Sequence, residues 1–384
     1  TDGRQKLLAR LWATGGLPAV RGALRATDER PPPRRRPKHT VITGGAGFIG
    51  TNLAVRLVED GHRIVILDSL ARPGAEQNLR WLKSTYGDAI TFELGDVRDR
   101  YAVRRSVSGC NRVFHLAAQV AVTTSLDDPI DDFLVNLGGT LTLLDELRRL
   151  EDPPFLLFTS TNKVYGALRH LELALEGDRW QPVDRVQRAH GLSEELPLHF
   201  CTPYGCSKGA ADQYVLDFAE SYGLRSVVFR MSCIYGPHQH GNEDQGWVAH
   251  FALRTLAGRP ITVYGDGGQV RDLLFVKDLV EAMLLAAEND TVVAGQAFNI
   301  GGGPANAVSL LEVLDLIAEL HGEAPKLLYG DERTGDQRYY VADTRRFEDL
   351  TGWRALVPAS EGIGLLYQWL NDPQSAAPQG VMAR

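Results

Sequence analysis

From His39 onward the chain alternates short apolar runs with longer amphipathic stretches. Residues 39–43, 62–67, 90–94, 112–116, 155–159 and 226–230 are brief, apolar and rich in β-branched or aromatic side chains, which predicts buried strands. Residues 52–60, 134–150 and 208–222 place apolar side chains at helical spacing, and Gly61 stops the first of these helices. Strands that alternate with helices predict parallel βαβ units. From about residue 231 the alternation loosens, with short strands at 261–263 and 297–300, helices at 247–256 and 310–321, and many loops. The expected fold is α/β: a Rossmann-type doubly wound parallel sheet with a smaller C-terminal α/β substrate domain. Residues 39–230 form the first part, interrupted by a long insert at 167–200. Residues 231–384 form mainly the second, with some strands and helices returning to the main sheet. In such folds ligands bind in the crevice at the carboxyl ends of the strands.

Residues 1–38 depart from this pattern. Arg4, Lys6, Arg10, Arg21, Arg25, Arg30, Arg34, Arg35, Arg36 and Lys38 crowd a segment with few acids. Residues 5–25 have the spacing of a short basic helix, and the prolines at 31–33 and 37 predict an extended linker. We take the segment as a solvated extension.

Composition narrows the class. The 384 residues are 44% hydrophobic and 23% charged, as in ordinary globular proteins. The net charge of −7 gives no sign of nucleic-acid binding. No run approaches the roughly 18 apolar residues of a membrane helix. Cys110, Cys201, Cys206 and Cys233 show neither CxxC spacing nor a histidine cluster, so no metal site is expected and the thiols fit a reducing cytoplasm.

The first predicted strand runs into Gly44-Gly45-Ala46-Gly47-Phe48-Ile49-Gly50. Gly44 permits a tight turn, Gly47 lets backbone approach a pyrophosphate, and Gly50 lets helix and strand pack closely. The helix start supplies amide donors and partial positive charge. Asp68 closes the second strand, 18 residues after Gly50. A carboxylate there accepts a ribose 2′-hydroxyl and repels a 2′-phosphate, which favours NAD over NADP. Asp96 and Val97, after the third strand, and Leu116, Ala117, Ala118 and Gln119, after the fourth, are further candidates for the cofactor path. Asp96 taken alone reads equally as an adenine contact or a loop cap; together with the glycine turn it reads as the adenine contact.

Tyr204 and Lys208 stand four residues apart, on one face if the segment is helical. A neighbouring ammonium would lower the phenol's pKa and make it a base for a sugar hydroxyl. Phe158-Thr159-Ser160-Thr161 closes a strand and offers hydroxyls to hold the reacting oxygen.

With these motifs in place, residues 39–370 resemble the extended short-chain dehydrogenases/reductases that act on nucleotide sugars. The glycine turn TGGAGFIG, the hydroxyl three residues before Val164-Tyr165-Gly166, and Tyr-x-x-x-Lys carry the resemblance. It implies a catalytic triad of Thr161, Tyr204 and Lys208, the last two also touching the cofactor. It places Asn136, within Asn-x-x-Gly-Thr, beside the active-site helix. The segments 160–166, 203–214 and 244–248 are similar to the branch that epimerises CDP-sugars at C2, through a transient 2-keto sugar. The resemblance further implies substrate contacts from Asn162, Lys163 and Gln245, and from Arg271, Arg333 and Asp336 in two diphosphate-binding segments. It implies a nucleotide-sugar substrate, a CDP-sugar before others, and a homodimer built on the helices at 134–149 and 208–222. Lys163 has a salt bridge as its alternative role. Rival activities are epimerisation at C4, another C4 oxidation such as decarboxylation of a nucleotide uronate, and, in a different class, a non-catalytic NAD sensor.

Overall fold

The computed structural model describes residues 39–372, so the basic extension, its expected helix and its linker lie outside the described residues. The first half follows the predicted alternation. Strands β1 (His39–Thr43), β2 (Ile64–Asp68), β3 (Ile90–Leu94), β4 (Cys110–His115) and β5 (Phe155–Thr161) are separated by helices Phe48–Glu59, Ala75–Tyr86, Arg100–Val107 and Gly139–Leu147. Every residue of β5 is buried, as expected of a strand covered on both faces. The insert contributes a hairpin, β6 (Leu173–Glu176) and β7 (Arg179–Pro182), and the short helix Arg185–His190. Helix Thr202–Tyr222 leads into β8 (Ser226–Met231).

Beyond β8 come β9 (Cys233–Tyr235), β10 (Ile261–Tyr264), β11 (Val270–Phe275), β12 (Gln296–Ile300), β13 (Ala307–Ser309), β14 (Leu327–Gly330) and β15 (Tyr339–Tyr340). The main sheet has the order β12-β8-β5-β4-β1-β2-β3, and all its ladders are parallel. The strand order reverses between β1 and β4, which makes the crevice there the topological switch point. Strand β12 is one of the returning elements: it pairs with β8 at the edge of the main sheet. Strands β9, β13 and β15 flank β11, and β10 pairs with β14, in a smaller layer.

Two apolar clusters cover the faces of the main sheet. One holds Ile42, Leu53, Phe114, Leu157, Phe229 and Phe298, the other Val41, Val113, Leu144, Leu156, Phe158 and Val228. A third, with Phe251, Ile261, Leu273, Val313 and Leu366, belongs to the smaller layer. The insert is fastened to that layer. Arg179 Nε donates to Glu312 (2.9 Å), Trp180 Nε1 donates to Asp266 (2.8 Å), and the Trp180 amide donates to the Gly268 carbonyl.

The stretch predicted as one helix from 134 to 150 is broken in the structure. Helix Pro129–Phe133 passes into a widened π-type turn, Leu134–Gly138, before Gly139–Leu147 resumes regular geometry. Periodicity misses such a turn because it inserts a single residue into the ladder. The helix carrying Tyr204 begins earlier than predicted, at Thr202. That residue holds φ +66° although it is not glycine.

Candidate active site

The glycine turn is built for close approach. Gly44 has φ +68°, and a Cβ there would lie 2.7 Å from the Ala117 amide, so only glycine lets the Leu116–Ala118 segment run against the turn. A Cβ on Gly50 would lie 2.6 Å from the Gly44 carbonyl oxygen. The following helix starts at Phe48 with no side-chain cap and no acid in its first turn. The Gly47 amide donates to the Gly44 carbonyl (3.1 Å), and the amides of Phe48 and Ile49 remain available to an anion. Asp68 accepts the Ala46 amide on one oxygen (2.9 Å) and the Leu70 amide on the other (2.8 Å), which fixes its carboxylate at the edge of the turn. Burial pushes its pKa upward. The residues present fit a dinucleotide.

The remaining cofactor candidates divide. The Leu116 and Ala117 amides are tied to Thr43, placing this segment beside the turn. Ala118 follows on the same segment. Val97 is buried against Gly139. The Gln119 amide donates to Asn136 Oδ1 (2.9 Å), but its side chain is bound back onto Ala121. Asp96 shows the cap role: Arg98 engages both carboxylate oxygens (2.9 and 2.7 Å), and the Arg98 amide adds a third bond.

Thr161 ends β5, and Tyr204 and Lys208 occupy the first two turns of the next long helix, so the fold brings the expected triad together. The Thr161 hydroxyl acts on the Tyr204 phenol and draws its pKa down. It also accepts the Lys163 amide (3.2 Å). Ser125 Oγ accepts the Tyr204 amide (3.2 Å). The Lys208 ammonium lies 4.1 Å from the centroid of the Phe158 ring.

One electrostatic expectation needs correction. Burial pushes Tyr204 up to about 12 and Lys208 down to about 7. The groups that draw Tyr204 back down are the Thr161 hydroxyl and the Arg72 guanidinium, not Lys208. Lys208 meets Asp212 and Asp132, which offset part of its desolvation. The spacing argument weighed one charge pair and left out the loss of water at both groups.

The expected substrate residues form two groups. Lys163 Nζ donates to Asp336 Oδ1 and to the Gly335 carbonyl, both at 3.3 Å, and Arg271 Nη2 reaches the same Asp336 oxygen at 2.7 Å. Although burial disfavours its charge, Arg271 and Lys163 hold Asp336 down to about 2. An anion so placed repels a diphosphate. Asp336 holds the two cations together. Asn162 is buried beside them, and its backbone carbonyl accepts Gln337 Nε2 (3.3 Å). Arg333 stacks on Tyr264, 4.0 Å from the ring centroid, and donates to the Glu243 carbonyl (3.0 Å). Gln245 sits in the same acidic loop, its amide held by Asn242 (2.8 Å).

Sequence reasoning missed Arg72, Asp132, Asp212 and Arg230. Asp132 is discoverable as the residue one helical turn before Asn136, and Asp212 as one turn beyond Lys208. Arg72 and Arg230 carry no comparable spacing signal.

The fold and this edge define a Rossmann-type, dinucleotide-dependent enzyme that pairs a phenol and a lysine with a hydroxyl. The NAD dependent epimerase/dehydratase family matches residues 40–301. CDP-paratose 2-epimerase of Salmonella typhi is 40% identical over 336 residues, covering 86% of this chain and 98% of that protein. UDP-glucose 4-epimerase of Mycolicibacterium smegmatis is 32% identical, covering 84% and 96%. The structure of Thermus thermophilus UDP-glucose 4-epimerase complexed with NAD superposes with a TM-score of 0.73 at 33% identity, covering 87% and 99%. The chain belongs to the NAD dependent epimerase/dehydratase family, and its cofactor is NAD.

Gly50→Val forces a side chain into the Gly44 carbonyl. The purified variant is expected to carry less than about a tenth of the wild-type NAD, measured after denaturing release. Full occupancy would remove the turn from cofactor binding.

Proposed function

We propose that this protein epimerises CDP-paratose to CDP-tyvelose at C2. The observation that carries the reading is the 40% identity to the Salmonella typhi 2-epimerase over 98% of its length. The Lys163–Asp336–Arg271 group, which ties the turn after Thr161 to the region expected to hold the diphosphate, supports it.

The chain's own groups account for the proton chemistry. Tyr204 accepts the proton of the sugar C2 hydroxyl, and the Thr161 hydroxyl bonds the same oxygen as it becomes a carbonyl. The Thr161 hydroxyl and the Arg72 guanidinium favour the Tyr204 phenolate, and the Lys208 ammonium would hold the nicotinamide ribose. Bound NAD supplies a positively charged two-electron acceptor for the sugar carbon and later returns the electrons. Arg271, oriented by Asp336, and Arg333 clamp the diphosphate while the 2-keto sugar turns its other face to the site. Tyr204 then gives the proton back, and C2 is inverted with no net oxidation.

CDP-paratose deuterated at C2 tests this directly by NMR. The expected product is CDP-tyvelose with deuterium retained at C2. Loss of the label to solvent would overturn internal transfer. Conversion of UDP-glucose but not of CDP-paratose would install C4 epimerisation in its place. Tyr204→Phe should lower kcat by about 10²–10⁴-fold with NAD content unchanged; unaltered turnover would remove Tyr204 from the mechanism.

The reading extends to assembly and location, as a cytoplasmic homodimer. The four cysteines are free thiols, which fits a reducing compartment. No helix of the described residues is long and apolar enough to cross a membrane. Ile130, Phe133 and Leu134 are exposed on the segment packed beside helix Thr202–Tyr222, where Tyr214 is also exposed. These side chains suit a homodimer. Sedimentation should give a dimer for the wild type and a monomer for Ile130→Glu combined with Phe133→Glu. A wild-type monomer would sink the assembly.

A further inference from the structure

Lys208 is a buried cation whose surroundings are sparse in compensating charge. From its own helix it faces Tyr204 and Asp212. Strand β4 presents His115, which lies between the Thr43 hydroxyl (2.6 Å) and the Thr140 hydroxyl (3.0 Å) and is kept neutral by burial. Strand β5 presents the Phe158 ring and Thr161. Arg72, on the loop after β2, acts on Tyr204. Helix Pro129–Phe133 presents Asp132.

The two acids are not equivalent. Asp212 has the larger influence on Lys208, but it is engaged on both oxygens by Arg230, at 2.9 Å each, and so is shared with a second cation. Asp132 is fully buried and has no arginine or lysine ion pair among the described residues. Its oxygens accept the Ser207 hydroxyl (2.5 Å) and Asn136 Nδ2 (3.1 Å). Asn136 Nδ2 also reaches Ser207 Oγ (3.0 Å), closing a triangle at the residue just before Lys208. A carboxylate held in such a site, away from water, interacts strongly with the nearest cation.

We infer that Asp132 is a positioning residue of the proton-transfer site, its buried carboxylate fixed by Ser207 and Asn136 so that it keeps the Lys208 ammonium charged beside Tyr204. The inference rests on Tyr204 and Lys208 acting as proposed above. The negative charge favours protonated Lys208 and disfavours ionised Tyr204. Removing it lowers both pKa values. Activity needs ionised Tyr204 and charged Lys208, so their two titrations together bound the active pH range. Both limbs must then move toward lower pH together.

Asp132→Asn removes the charge while keeping the volume and an oxygen for Ser207. The test is the pH profile of kcat for the holoenzyme, with an ultraviolet difference titration of the Tyr204 phenolate against Tyr204→Phe as reference. Both limbs and the phenolate titration are expected to shift acidward by about one pH unit. Asp132→Glu should bring them back toward the wild-type positions. Asp132→Thr, which also keeps a hydrogen-bonding oxygen without charge, substitutes if the asparagine variant does not accumulate folded. A lowered plateau with unmoved limbs and an unmoved phenolate titration would overturn the inference and leave Asp132 a packing residue. An inactive Tyr204→Phe with unmoved Asp132→Asn limbs removes Asp132 alone, whereas an active Tyr204→Phe removes the reading beneath it.

Discussion

The buried pair Arg230–Asp212 holds the active edge together. Both side chains are nearly free of solvent contact, and the guanidinium meets the carboxylate through two bonds of 2.9 Å. Arg230 also donates to the Tyr165 hydroxyl (3.2 Å), which donates to Asn299 (2.7 Å), and Asn299 donates to the Leu192 carbonyl (2.8 Å). One network thus joins the catalytic helix, β8, the turn after β5, β12 and the end of the insert. Losing one partner of such a pair costs about 3–5 kcal/mol, because the other charge is left uncompensated in a low dielectric. Thr161 lies one turn from Tyr165, and Lys208 one turn from Asp212. The network therefore fixes the spacing between hydroxyl and phenol at a distance from both.

Acidic groups serve a different purpose at each end of the site. Asp336 sits between Arg271 and Lys163 and gives two cations a common direction. Asp68 is held by backbone amides of the glycine turn and the following loop, so its orientation is set by the fold itself. Each carboxylate spends its hydrogen bonds on protein neighbours. Pre-organisation of this kind reduces the entropy lost when a ligand binds.

What could be read from the residues follows from the range of the forces involved. The strands of the main sheet were legible because apolar runs and breakers are local signals, and Gly44, Gly47, Gly50 and Asp68 because their chemistry is bound to one turn. Tyr204 and Lys208 were legible because helical spacing puts them on one face. The opposing pKa shifts of Tyr204 and Lys208 were not, since desolvation depends on what covers a group from distant segments. The bonds from Arg98 to Asp96 were hidden for a similar reason: nothing in the spacing announces which way the arginine folds. The π-type turn around Asn136 was hidden by a periodicity that continues almost unbroken through it.

The chain does not pass once from the main sheet to the smaller layer and stay there. It leaves after β8, returns with helix Val276–Glu288 and β12, leaves again for β13, returns with Phe347 and Trp353 in the main-sheet core, and departs finally with helix Ala359–Asn371. A hinge needs few connecting segments that can bend together; these two layers are stitched by many. The jaw of this molecule is consequently stiff, and a substrate that must turn over inside it finds its freedom in side chains and surface loops rather than in the opening of one layer from the other.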